Sequence, residues 1–251
     1  MARVLVTGAD GGLGRALVEA FRERGDDVLS TDLRGADLVL DVTSDADWAA
    51  ARAHVEQTWG GLDILVNNAG IAGGGRLDHD TVEEWQHLVD INLLGAVRGI
   101  KTFVPVFKAQ RSGHVVNIAS LAGLVPPAGM ASYNATKAAV VALTETTGHE
   151  LAGHGVRASV VCPSYFRSGL ADHLTGSDGA VGAVVAKLVK ESPWGPDDIA
   201  RAVIEGIERG DELILPDQAA RAAYTLKTTD RATYDAMMRA QARKLEERAR
   251  G

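Results

Sequence analysis

The chain has 251 residues, 46% of them hydrophobic and 24% charged, with a formal net charge of −7. That apolar share supplies a well-buried core and excludes an intrinsically disordered chain, while no run reaches the ~18 uninterrupted apolar residues of a membrane span. The negative charge disfavours nucleic acid as a partner, and the single cysteine, Cys162, excludes an internal disulfide and a multi-cysteine zinc site.

The chain opens Met1-Ala2-Arg3-Val4-Leu5-Val6-Thr7-Gly8, where three apolar residues run straight into Thr-Gly, too short for the apolar core of a secretory signal. A cytoplasmic location is the expectation. Compact β-rich runs at 4–6, 28–30, 38–40, 64–66, 115–118, 158–161 and 213–215 read as strands buried on both faces of a parallel sheet. Helical patterns over 12–24, 45–59, 81–110 and 132–153 alternate with them, each long enough for a crossover. The order predicts an α/β chain: a doubly wound Rossmann sheet of about seven parallel strands with helices on both faces. A closed eight-stranded barrel is the rival, disfavoured because the glycines cluster after the first strand.

Residues 163–195 lack a strand pattern and carry Gly169, Gly176, Gly179, Gly182 and Gly195, which predicts one or two short helices on an excursion that serves as a substrate lid. Over 217–251, Tyr234, Met238, Gln241, Leu245 and Ala249 recur at helical spacing, a narrow apolar stripe for packing on the body or on a partner subunit. No linker divides the chain, so one dinucleotide-binding domain over 1–251 is predicted, with this C-terminal helical extension.

Gly8, Asp10, Gly11, Gly12, Leu13 and Gly14 form the strand-to-helix turn after the first strand. Glycines there let the backbone approach a pyrophosphate and deliver it to the positive end of a helix. The spacing is G-x-x-x-G-x-G and differs from the commoner G-x-G-x-x-G. Asp32 ends the second strand, about 20 positions on, where a carboxylate accepts from the adenosine ribose and repels a 2′-phosphate. NAD is therefore expected over NADP, with Arg34 the one residue able either to reach a 2′-phosphate or to pair with Asp32.

Asn67-Asn68-Ala69-Gly70 closes the fourth strand at the sheet edge where such folds bind ligands. With the TGxxxGxG turn, this tetrapeptide resembles the short-chain dehydrogenase/reductase family over residues 1 to about 216. Ser120, Tyr133 and Lys137 complete the resemblance. Lys137 follows Tyr133 by four residues and shares its helix face, so its ammonium is expected to favour the phenolate and lower the tyrosine pKa for proton transfer. Lys137 can also donate to the nicotinamide ribose, and the Ser120 hydroxyl can orient a carbonyl or alcohol oxygen.

The resemblance implies further roles. Asn92 falls where the family has an Asn holding a water connected to the lysine. Asp41 and Val42 resemble the pair beside the adenine, Asn68, Ala69 and Gly70 belong to the cofactor pocket, and Asp63 braces the strand before Asn67. Pro163 precedes Ser164, which stands where the family usually has glycine, and Ser168 occupies the place of a threonine that binds the carboxamide. Phe166 joins this cofactor set, and it and Tyr165 bring aromatic bulk to a substrate pocket drawing on Ala122, Leu124 and Met130.

Among the seven histidines no H-E-x-x-H and no metal-ligating spacing occurs, and there is no G-x-S-x-G elbow. The expected function is NAD-dependent interconversion of a largely apolar secondary alcohol and its ketone. Two alternatives stand beside it: a non-catalytic NAD-sensing protein, and a lyase or epimerase that retains its cofactor. The expected partner is a small alcohol or ketone, with no nucleic acid and no membrane. By resemblance the chain assembles as a homotetramer, or a homodimer, through the helices at 81–110 and 132–153.

Overall fold

The computed structural model describes residues 1–169 and 178–250. In chain order they form β1 (Arg3–Thr7), α1 (Gly12–Glu23), β2 (Asp27–Asp32), β3 (Leu38–Val39), α2 (Asp45–Trp59), β4 (Ile64–Asn67), α3 (Val82–Val89), a π-helix (Asp90–Leu94) and α4 (Gly95–Gln110). There follow β5 (Gly113–Ile118), α5 (Leu121–Leu124), α6 (Ala131–Leu151), a 3-10 turn (Ala152–His154), β6 (Val156–Val161), α7 (Gly179–Lys190), α8 (Pro196–Arg209), β7 (Leu213–Ile214), α9 (Gln218–Thr229) and α10 (Arg231–Arg250). The strands lie in the order β3-β2-β1-β4-β5-β6-β7, every neighbouring pair parallel. The sheet is open, with edges at β3 and β7, and the barrel alternative is excluded.

Alternation along β1 builds the layers. Val4 and Val6 pack with Leu17, Phe21, Ile199 and Val203 of α1 and α8 on one face, while Leu5 packs with Trp48, Phe103 and Phe107 of α2 and α4 on the other. With both faces covered, the central strands are apolar without a polar side, as parallel sheets require. At the start of β1 and β4, Arg3 donates to both carboxylate oxygens of Asp63 at 2.9 and 2.7 Å and to Asp63 again through its backbone N–H at 2.8 Å. This is the bracing role expected of Asp63.

Helix signals are local. Ser44 accepts the Asp47 N–H at 3.2 Å to open α2, and Gly60 closes it at a φ of 69°. Thr81 and Glu84 form a reciprocal capping box on α3. The single helix expected over 81–110 is not found: a π-helical turn at Asp90–Leu94 divides it. The extra residue of the wider turn brings Asn92 inward, where its amide accepts from Ile71 N at 2.8 Å and donates to Ile71 O at 3.0 Å. A 3.6-residue apolar period reads the same through such a turn, so the sequence pattern missed it.

Within 163–195, α7 is the helix described, and 170–177 of the expected lid lie outside the described residues. The C-terminal extension is two helices, divided at Asp230, whose carboxylate accepts the Thr233 N–H at 3.1 Å. Of the stripe, Tyr234 and Leu245 are buried, Met238 and Gln241 half-buried, and Ala249 exposed.

Trp48 carries much of the α2–α4 layer. It is 1% exposed, donates its indole N–H to Val42 O at 3.0 Å, and meets Phe103 edge-on at 6.5 Å between centroids. Trp48→Ala is expected to cost about 3–5 kcal/mol in urea unfolding. A loss under 1 kcal/mol would show that this layer is not what holds the 40–44 turn.

Candidate active site

The strand order reverses beside β1, between β1 and β4, and the functional residues gather at the carboxyl ends of the strands there. The glycine turn leaves β1 first. Gly8 has φ 64°, and a Cβ on it would lie 2.7 Å from the Ala69 Cα. At Gly14 a Cβ would come within 2.0 Å of Gly8 O, so the turn closes only with glycine. Gly11 caps α1 without a side chain, and no acidic residue occupies the first turn, which leaves its N–H groups facing the cleft beside Asp10, Gly12 and Leu13. A Cβ on Gly12 would lie 3.7 Å from the Ser168 Cβ, which places Ser168 beside this turn.

Asn68-Ala69-Gly70 connects the turn to the catalytic candidates. The Asn68 amide donates to Thr7 O at 2.9 Å and Gly8 O at 3.0 Å, and Thr7 Oγ1 accepts from the backbone N–H groups of Asn68 and Ala69, each at 3.0 Å. Gly70 lies against the other side of the site: a Cβ there would be 3.0 Å from Asn92 Oδ1 and 3.4 Å from Lys137 Nζ. Asn92 and Lys137 therefore converge, although the Asn92 side chain is engaged by Ile71.

Ser120 leaves β5 as the cap of α5, its Oγ accepting the Ala122 N–H at 3.2 Å, and its hydroxyl is near enough to the Tyr133 phenol to favour its ionised form. Tyr133 and Lys137 lie one turn apart on α6. Lys137 is 5% exposed, its Nζ donates to Ile118 O at 3.0 Å and sits 5.7 Å from the centroid of the Tyr133 ring. Beneath them a buried ladder ties the sheet to α6: Asn67 Nδ2 donates to Asn117 Oδ1 at 2.8 Å, and Asn117 Nδ2 donates to Thr144 Oγ1 at 2.8 Å.

The electrostatics depart from expectation. Burial, offset in part by the Ser120 hydroxyl, pushes the Tyr133 phenol up to about 12, where the sequence argument expected the ammonium to pull it down. Burial also pushes Lys137 down to about 8. The ammonium lies over the ring face and is directed at Ile118 O, and desolvation of both charged forms outweighs their mutual support.

The other expected residues fall as follows. Asp32 accepts the Asp10 N–H at 2.9 Å and the Leu33 N–H at 2.7 Å, bracing the turn, and among the described residues no ion pair joins Arg34 to it. Asp10 pairs with Arg15 at 2.8 Å. Asp41 accepts the Thr43 N–H at 2.9 Å and hydroxyl at 2.7 Å, and Val42 is buried in the α2–α4 layer. Pro163 O accepts the Leu121 N–H at 2.8 Å, drawing the segment after β6 to Ser120. Ser164 donates its hydroxyl to the buried Asp217 at 2.6 Å and its N–H at 2.9 Å. Tyr165 joins the Tyr133 cluster with Ala122 and Met130, but Phe166 packs with the α1–α8 layer and Leu124 with Val140 and Cys162. Thr7 and Asp217 were missed; an Asp directly after Pro216 and before a helix was the available signal for the second.

The cradle that excludes a Cβ, the open helix start and the buried Tyr–Lys pair fit a nicotinamide dinucleotide. A model of the short chain dehydrogenase family matches residues 2–178. The chain belongs to the short-chain dehydrogenase family. A 2-(S)-hydroxypropyl-CoM dehydrogenase of Xanthobacter autotrophicus is 35% identical over 239 residues, covering 86% of this chain and 90% of that one. Among solved structures, a short-chain dehydrogenase/reductase from Burkholderia phymatum in complex with NAD matches with TM-score 0.84 and 29% identity, over 92% of this chain and 94% of that one. A Burkholderia cenocepacia short chain dehydrogenase in complex with NADP matches with TM-score 0.82 and 25% identity, over 94% and 97%. The chain is thus an oxidoreductase of this family acting on alcohol- or ketone-type substrates.

A family member that buries a lysine this way sacrifices stability. The folded pKa of Lys137, about 8, lies below its ordinary 10.5, so any stability from this group is present above the ordinary value and is lost as pH falls through the folded one. At pH 7 the ammonium costs on the order of 3 kcal/mol. Lys137→Met, which leaves Ile118 O without its donor at a cost of about 1 kcal/mol, is expected to raise the urea midpoint while abolishing turnover. A lower midpoint would mean that the ammonium is stabilising.

Proposed function

We propose that this short-chain dehydrogenase uses NAD to interconvert a largely apolar secondary alcohol and its ketone, with Tyr133 as the acid and base. The observation that carries the reading is the convergence at one sheet edge of the Ser120 hydroxyl, the Tyr133 phenol and the Lys137 ammonium, joined through Gly70 and Asn68 to the glycine turn. Bound in this cleft, a nicotinamide supplies or accepts the hydride.

The chain's own residues do the rest. Gly8, Gly11, Gly12, Leu13 and Gly14 present backbone to the pyrophosphate, and Asp10, Asp41, Val42, Ala69, Pro163, Ser164, Phe166 and Ser168 complete the cofactor cleft. In the reducing direction Ser120 donates to the substrate carbonyl oxygen and orients it. Tyr133, held neutral by burial, then gives its proton to that oxygen as the carbon becomes sp³. The resulting phenolate is supported by Lys137, and a proton from solvent restores the phenol. Oxidation reverses each step: the phenolate takes the alcohol proton. Asn92 keeps the loop at Ile71 in place beside Lys137 through its side chain, and in this reading it also supports the water relay to the lysine.

Two carboxylates, Asp10 and Asp32, adjoin the ribose end of the cleft, and Arg15 pairs with the first. That balance favours NAD over a 2′-phosphate. The 2-hydroxypropyl group in the name of the Xanthobacter relative is a secondary alcohol, which supports the substrate class. Exposed Val82 and Leu94 on α3 and the π-helix support assembly as a homotetramer.

Tyr133→Phe is expected to lower turnover by about a hundredfold or more while NADH binding persists. In the unaltered enzyme alcohol oxidation should rise with pH, because the phenolate fraction grows towards a pKa of about 12, while ketone reduction, which uses the neutral phenol, should stay level until pH nears that value. Initial rates with an alcohol and ketone panel measure both; an active Phe variant would remove Tyr133 from proton transfer. For the cofactor, Asp32→Ala should weaken NAD binding and relax discrimination against NADP, and unchanged selectivity in equilibrium binding would contradict the ribose assignment.

A further inference from the structure

The C-terminal helix α10 does not merely extend the fold. Leu245, 4% exposed, belongs to the same apolar cluster as Tyr133, Ala122 and Met130, joined by Val181 and Val185 of α7. Contact is close at Gly129, which has φ 81°: a Cβ there would lie 2.9 Å from Leu245 Cδ1 and 3.0 Å from Val181 Cγ2. Gly74 approaches from the other side, where a Cβ would be 3.2 Å from Met130 Cγ and 3.4 Å from Val181 Cγ1. The apolar cluster that holds Tyr133 is therefore covered by α7 and α10 of the same chain.

Three polar fastenings hold α10 there. Tyr234 donates its hydroxyl to Pro126 O at 3.1 Å, and Lys227, on the preceding helix, donates to Leu124 O, both on the segment between Ser120 and Tyr133. Arg76 pairs with Asp178, the cap of α7, at 2.6 Å, and reaches Glu246 on α10 at 3.5 Å. The inner pair is nearly dry, with side-chain exposures of 14% and 2%. Arg76 thus clasps the 70–80 loop to both helices, one residue from Leu245.

We propose that α10 is the roof of the substrate chamber within its own subunit, and that Leu245 is the residue that limits the size of substrate the chamber admits. The inference rests on the alcohol and ketone reading above and goes beyond it by assigning size selectivity to a residue outside the stretch matched by the family model. An apolar wall of this kind discriminates by volume: each methylene that fits or clashes shifts kcat/KM by tenfold or more. The roof also explains why Tyr133 is desolvated, since Leu245 and the α7 valines stand where water would otherwise reach the phenol.

The test measures kcat/KM along a series of alkan-2-ones from propanone to octan-2-one, with NADH, for the unaltered enzyme, Leu245→Ala and Leu245→Phe. Leu245→Ala is expected to raise the ratio for octan-2-one over propanone by about tenfold, and Leu245→Phe to lower it. Parallel changes along the whole series, or none, would overturn the assignment. The Phe variant keeps the position apolar, so the comparison survives a poorly folding Ala variant. Should the unaltered enzyme turn over no ketone, the alcohol and ketone reading fails by itself, and the roof is read from the ultraviolet titration of the Tyr133 phenol, isolated by subtracting Tyr133→Phe. A downward shift of that ionisation in Leu245→Ala supports the roof; an unmoved one overturns it.

Discussion

A buried ammonium is the constraint around which this chain is arranged. On the outer face of α6 Lys137 would be solvated, yet its Nζ is enclosed between Ile118 O, the face of the Tyr133 ring and the wall formed by Gly70 and Asn92. An enclosed cation that, among the described residues, has one hydrogen bond and no carboxylate partner is expensive, and it persists only where the surroundings are fixed by stronger terms. Those terms are the β4–β5 pairing and the Asn67–Asn117–Thr144 ladder below, which leave Lys137 no room to turn outward. Stability is exchanged for a phenol and an amine that burial moves in opposite directions, the phenol up and the amine down.

The same sheet edge sets the cofactor cleft. Thr7 and Asn68 stitch the end of β1 to the end of β4, so the glycine turn and the lysine wall are two ends of one hydrogen-bonded unit. Gly8 and Gly14 are required because the turn folds onto its own carbonyl and onto Ala69, and this compactness frees the first N–H groups of α1. Asp32 participates from β2 by accepting from Asp10 N. A carboxylate already engaged by two backbone donors is oriented before any ribose arrives, which reduces the ordering that binding must supply.

Much of this was legible in the sequence because the signals are local. Seven strand runs and the starts of α1 and α2 follow from apolar runs and turn residues, and the triad of Ser120, Tyr133 and Lys137 follows from the resemblance to the family. What was not legible depends on the third dimension. The π-turn at Asp90–Leu94 leaves no trace in a helical period, and its reason, the Asn92 clasp on Ile71, joins positions that no local pattern links. The direction of the Tyr133 shift was misjudged because spacing reveals a nearby cation but not the loss of water around both groups. The packing of Phe166 against the α1–α8 layer and of Leu124 against Val140 and Cys162 is likewise decided only in the packed fold, because a strand end has neighbours on either side.

The C-terminal stripe illustrates a different limit. Tyr234 and Leu245 at helical spacing announce a buried face without saying against what. The structure answers with the apolar cluster around Tyr133, and on the reading proposed above this separates chemistry from selectivity along the chain. Residues up to Thr144 supply the turn, the polar ladder and the Tyr133–Lys137 pair, all held against the sheet. The covering elements, α7 and α10, touch that machinery through apolar side chains and a few peripheral hooks on Leu124, Pro126 and Arg76. Apolar contacts are non-directional, so the roof can change its volume by substitution without disturbing the directional bonds beneath it. A reaction centre built from hydrogen bonds and a pocket built from packing can therefore diverge independently, and a change at Leu245 leaves Lys137 held by the same carbonyl.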